Sequence, residues 1–134
     1  MENLDQLCAE YGNKFADQVS EALSEKPKTA ETLITKALGV LQEQGLYAFA
    51  LFCESRGSGE KNGAEKIRDL SKELLKDRLN LIGNGDLLAE IRKNGGLSEK
   101  LDDLMLAIQV LEKSLIYARF HAKAMAESQS EGEK

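Results

Sequence analysis

Apolar residues recur along this chain at three- and four-residue steps, the period of a helix with one buried face. The longest such run closes the chain, over 98–127. There Leu101, Leu104, Met105, Ile108, Leu111, Leu115, Ala118, Ala122 and Met125 form one stripe of a helix about 40 Å long, at roughly 1.5 Å per residue. Ser98 is placed to cap it. Glu99, Asp102 and Asp103 put negative charge at its positive dipole end, and Arg119, His121 and Lys123 put cations and a histidine near the other end. A helix of this length needs several partners to cover its stripe.

Those partners are legible upstream. Leu4, Leu7, Cys8, Tyr11, Phe15, Val19 and Leu23 predict a first helix over 2–24, ended by SEKPK because Pro27 restricts Lys26. A second helix is expected over 30–43 with Thr29 as its cap, stopped by Gly45. GLYAFALFCES is apolar on all sides, which predicts a short buried helix packed against the closing one. A central strand would need a second strand-like segment, and none is present. Arg56 to Gly63 (RGSGEKNG) reads as a loop. A fourth helix follows over 64–81, then a GNGD turn with Asp86 capping a fifth helix through Lys93. NGG reads as a left-handed stop, and the polar tail 128–134 reads as disordered. The expected fold is all-α: one domain over 1–127, a bundle of five to six helices with a long C-terminal helix.

Composition removes several function classes. No apolar run reaches the roughly 18 residues that span a bilayer. The acidic, amphipathic start is wrong for a signal peptide. Cys8 and Cys53 fall on apolar helix faces and read as reduced thiols in a cytoplasmic protein. Gly57, Gly59 and Gly63 fit neither a P-loop nor a dinucleotide fingerprint, and Gly83–Gly85 lacks the third glycine. His121 is the one histidine, too few nitrogen ligands for a zinc site with two distant cysteines. No nucleophile has a base and an orienting group, so neither an enzyme nor a cofactor or small-molecule substrate is expected.

Charge refines the picture. The net charge is −5, yet residues 56–82 carry 7 basic against 5 acidic side chains while 1–55 carry 4 against 9. Arg56 and Lys61 sit in the expected loop; Lys66, Arg68, Lys72, Lys76 and Arg78 lie on the exposed side of the fourth helix. Lys113, Arg119 and Lys123 lie off the apolar stripe of the last. These ten are the candidate nucleic-acid contacts. Glu65–Arg68, Asp69–Lys72 and Glu73–Lys76 are spaced as intrahelical pairs, so the same pattern also reads as a solvated mixed face. Tyr11, Phe15, Phe49 and Phe52 fall on core positions. Tyr47, Tyr117 and Phe120 are left as candidates for a protein interface.

Three stretches carry a family resemblance. The opening LCAEYGNKFADQVSEAL, the central GLYAFALFCESR and the closing LEKSLIYARFHAKAM together resemble the small subunit of the type III-B CRISPR effector, the Cmr complex. Tyr117 is the nearest stand-in for a tryptophan usual in that family's terminal helix. The resemblance implies a non-catalytic subunit of an antiviral ribonucleoprotein. Its copies stack along the backbone subunits and hold the guide RNA–target RNA duplex by phosphate contact. Of the ten candidate cations, Arg68, Lys72, Lys76, Arg119 and Lys123 lie off the expected core stripes of the two longest late helices, and these five are expected to contribute the target-RNA contact. The alternative is a helical adaptor that binds only protein, anchored by Tyr47, Tyr117 and Phe120.

Overall fold

The computed structural model describes residues 3–132. Among these there are six α-helices and no strand: α1 (Leu4–Ala22), α2 (Pro27–Gln44), α3 (Leu46–Glu54), α4 (Lys61–Glu73), α5 (Leu87–Arg92) and α6 (Leu101–Gly132). The all-α expectation with a long closing helix holds. Position 2, which the sequence places in the first helix, lies outside the described residues.

Local chemistry sets the element ends. Asn3 caps α1, its side-chain oxygen accepting from the N–H groups of Asp5 and Gln6. Ser24 and Glu25 turn the chain at φ of 63° and 60°. Pro27 then opens α2 instead of merely ending α1, because its missing N–H costs nothing at the first helical position. Thr29 therefore sits inside α2 and is not its cap. Gly45, at φ 93°, separates α2 from α3 in a conformation that favours glycine. The loop after α3 is shorter than expected, since α4 begins at Lys61. Gly63, expected in that loop, is buried within α4. A Cβ there would lie 2.8 Å from Leu33 Cδ2 and 3.0 Å from Leu23, so its absence lets α4 approach the α1–α2 layer.

The fourth helix also departs from a regular spiral. Residues Leu74–Arg78 form one turn of π-helix, in which the Leu79 N–H reaches the Leu74 carbonyl at 3.1 Å. Asp86 caps α5 as expected, accepting from Ala89 N–H at 3.4 Å. Gly95 takes the left-handed conformation, and a 3₁₀ turn over Leu97–Glu99 leads into α6. Ser98 lies inside that turn and does not cap α6. The Lys100 carbonyl accepts the Leu104 N–H instead. The expected disordered tail is helical as far as Gly132, and the Gln129 side chain donates to the Glu25 carbonyl at 3.3 Å. Residues 133 and 134 lie outside the described range.

Packing centres on α1. Helix α6 lies across α1 and α2, while α4 packs on α1 from a different direction and α3 bridges α2, α4 and α5. The α1–α6 seam is tight because small residues meet there. A Cβ on Gly12 would come within 2.5 Å of Tyr117 Cβ and 3.2 Å of the Ser114 carbonyl. Ala107, Leu111, Ser114, Leu115, Ala118 and Ala122 form the buried face of α6.

Two expectations fail. Helix α3 does not pack mainly on α6, and it is not buried all round: Leu51 is 45% exposed and Tyr47 37%. Its apolar outer side simply faces water. The α6 stripe also diverges from the sequence reading in its first turns, where Leu101 (68% exposed) and Met105 (51%) point outward. The small residues Ala107 and Ser114 take buried positions instead, the Ser114 hydroxyl donating to the Val110 carbonyl at 2.7 Å.

Candidate nucleic-acid interface

The ten candidate cations separate by whether a carboxylate already holds them. Arg56 stacks its guanidinium 4.1 Å over the Phe52 ring and reaches Glu60 at 3.7 Å, a carboxylate that also takes Lys36 at 3.0 Å. Arg68 bonds Glu54 at 3.3 Å and Asp69 at 3.0 Å. Lys76 pairs with Asp77 at 3.3 Å. The intrahelical pairs expected at Glu65–Arg68, Asp69–Lys72 and Glu73–Lys76 are not the ones that form.

The reason is tertiary. Glu73 is drawn to α1, where it accepts from the Tyr11 hydroxyl at 2.6 Å and from Lys14 at 3.3 Å. Burial raises the Tyr11 pKa, and the bond to Glu73 raises it further. One turn on, in the π-helical segment, Arg78 reaches Glu10 at 2.5 Å and lies 5.6 Å over the Tyr11 ring. The Arg78 bond holds the Glu10 carboxyl below its ordinary value. Lys113 is likewise engaged across helices, by Asp5 at 2.6 Å. Hydrogen bonds from Lys113 and the Tyr117 hydroxyl keep the Asp5 carboxyl low.

Five candidates have no carboxylate partner among the described residues: Lys61, Lys66, Lys72, Arg119 and Lys123. Lys72 donates to the Asn84 carbonyl at 3.2 Å and shares a shallow depression with Asp69, Glu73 and Asp77 without pairing closely with any of them. Lys66 borders a polar depression of about 410 Å³ beside Gln18, Glu21 and Ala22 of α1. Arg119 lies 5.5 Å over the Phe120 ring. The first three belong to α4 and the last two to α6. Those helices both pack on α1 and not extensively on one another. The structure therefore presents two separated basic sites, not one continuous stripe.

The aromatic candidates also divide. The Tyr47 hydroxyl accepts from Arg92 at 3.2 Å. Tyr117 is half-buried, and its hydroxyl donates to Asp5 at 2.7 Å. Phe120 is 60% exposed and borders a shallow apolar groove of about 340 Å³ with Ala9, Tyr117, His121 and Ala124.

The glycine loop before α5 has its own internal anion. The Glu90 carboxylate, largely buried, accepts from Gly83 N–H at 2.7 Å, Gly85 N–H at 3.2 Å and Lys93 at 2.9 Å. The Lys93 bond and these backbone donors lower its pKa. A Cβ at Gly85 would come within 2.6 Å of the same carboxylate. Residue spacing does not reveal this cradle, because nothing in a GNGD turn announces which side chain will fill it.

Among the described residues no group of three or more His, Cys, Asp or Glu side chains is placed to hold a metal. No helix there is long and apolar enough to cross a membrane. No family model, curated protein or solved structure matches this chain, so its role is read from this geometry and from the sequence features themselves.

Proposed function

We propose that this chain is a non-catalytic small subunit of a type III-B CRISPR ribonucleoprotein. In this reading it sits beside other effector subunits and further copies of itself and contacts the guide–target RNA duplex. The observation that supports it most is the set of cations without a carboxylate partner among the described residues. These are Lys61, Lys66 and Lys72 on α4 with Arg119 and Lys123 on α6, on a chain whose net charge is −5. Phosphates attract such cations without regard to sequence, and each contact formed releases counterions. Two short basic sites on an acidic surface bind RNA weakly alone. Copies held in line gain avidity from effective concentration.

Tertiary contacts narrow which cations matter. Arg68 and Lys76 already satisfy carboxylates, whereas Lys66, Lys72, Arg119 and Lys123 meet none among the described residues. Replacing the latter four with Glu is expected to weaken target-RNA binding by the assembled complex at least tenfold and to flatten its salt dependence. Replacing Arg68 and Lys76 alone is expected to do much less. Equal binding by all three proteins overturns the assignment. The family reading itself is tested by a tagged pull-down from the native host with sequencing of co-purified RNA. Short guide RNAs of uniform 5′ sequence, with several effector subunits, support it.

The exposure of Phe120 over its apolar groove favours a second reading, a protein-only adaptor. A single protein partner recovered without RNA would replace the first reading with this one.

A further inference from the structure

The outer face of α6 carries more apolar surface than an ordinary solvated helix. Leu101, Met105 and Phe120 are exposed, and Ile116 is half-buried between them. At 100° per residue these four cluster opposite Ala107, Leu111, Ser114 and Ala118, the face that packs on α1 and α2. Charge alternates along the same helix, with Glu127 exposed one turn beyond the cations, outside the span 101–124. Asp102 and Asp103 occupy the first turn, and Arg119 and Lys123 lie near the far end without carboxylate partners among the described residues.

We infer that this face pairs with the same face of a second copy, antiparallel, about a two-fold axis near Glu112 and Lys113. Self-complementarity selects that arrangement. With the axis there, Met105 of one copy lies opposite Phe120 of the other, and Leu101 opposite Ala124. Gln109 lies opposite Ile116, and Asp102 opposite Lys123. Each contact occurs twice, as a two-fold interface requires. Met105 then covers the exposed Phe120 ring beside the groove lined by Tyr117, His121 and Ala124, a thioether–aromatic contact. A parallel pairing would set Asp102 against Asp102 and Lys123 against Lys123, and like charges across a helical seam disfavour it. Forming the seam breaks no existing ion pair among the described residues. Lys123 has no carboxylate partner there, and Arg119 lies over its neighbouring ring. Lys113 keeps its bond to Asp5 at the edge of the seam.

Pairing of the free chain does not depend on the RNA reading. It does carry a consequence for it: pairing covers Lys123, so a self-paired subunit would offer RNA chiefly its α4 cations.

The test is the mass of the full chain in solution, by sedimentation or light scattering across a concentration series without RNA. A concentration-dependent dimer is expected. Phe120→Glu should raise its dissociation constant about a hundredfold, since roughly tenfold is lost at each of two equivalent contacts. Circular dichroism should be unchanged, because the Phe120 ring stands largely in solvent. Asp102→Lys should weaken the dimer, and adding Lys123→Asp should restore it. A mixture of Asp102→Cys and Lys123→Cys proteins should cross-link under mild oxidation while neither does so alone; the native Cys8 and Cys53 are buried and silent. A single-chain mass at every concentration overturns the proposal. So does a dimer that tolerates Phe120→Glu or fails to form the mixed cross-link.

Discussion

The two faces of α6 both carry apolar residues and meet opposite fates. On the inner face Ala107, Leu111, Ser114, Leu115, Ala118 and Ala122 are buried against α1 and α2. On the outer face Leu101, Met105 and Phe120 are larger and more hydrophobic than most of these, yet they stand in water. Close approach explains the difference. At the α1–α6 crossing Gly12 leaves no room for a Cβ, so the backbones meet beside the small Ser114 and Ala118, and Leu111 and Leu115 pack into the interior around that close approach. Hydrophobicity alone does not separate the two faces; fit against a neighbour does.

That contrast can be broken in several ways. Leu115→Ala should have the largest effect, a loss of about 2–5 kcal/mol of folding stability by denaturant titration, because it empties a fully buried site. Gly12→Val should follow, costing about 1–3 kcal/mol or more as Tyr117 and the Ser114 carbonyl are forced away from α1. Met105→Ser should change stability by no more than about 0.5 kcal/mol in the monomer, since its side chain is already solvated. If Met105→Ser proved as damaging as Leu115→Ala, the outer face would be part of the core and the contrast would fall.

Two chemical probes sharpen it further. Burial pushes the Cys53 thiol up to about 12 and also raises that of Cys8. A thiol reagent near neutral pH should therefore label neither until the chain unfolds, and rapid labelling of the native protein would contradict the packing around α3 and the α1–α6 seam. The pH dependence of stability should be smaller. Asp5, Glu10 and Glu90 have folded-state pKa values below their unfolded ones, so their contribution is present above the ordinary carboxylate range, about 4. It is lost as pH falls through the folded values. Asp5→Asn should flatten that acid limb slightly in thermal melts, because it removes the link from α1 to Lys113 and Tyr117.

Much of the fold is legible in the order of residues alone. Helix existence and order follow from apolar periodicity, and Asp86 and Gly95 are readable as punctuation because cap and turn chemistry is local. Pro27 misleads for an instructive reason: the same residue ends one helix and can begin the next. The candidate site is legible only as a roster of cations. Whether a cation stays uncompensated depends on carboxylates distant in sequence, Glu10 for Arg78 and Asp5 for Lys113, and no spacing rule reaches that far.

What the chain determines by itself is therefore its helices and their approximate ends, since these depend on neighbours within one or two turns. Tertiary packing alone decides where along α6 the apolar stripe is left uncovered, where the π-helical turn carries Arg78, and which cations lack a carboxylate among the described residues. Each of those outcomes depends on distances between helices, and close packing in three dimensions is what sets them.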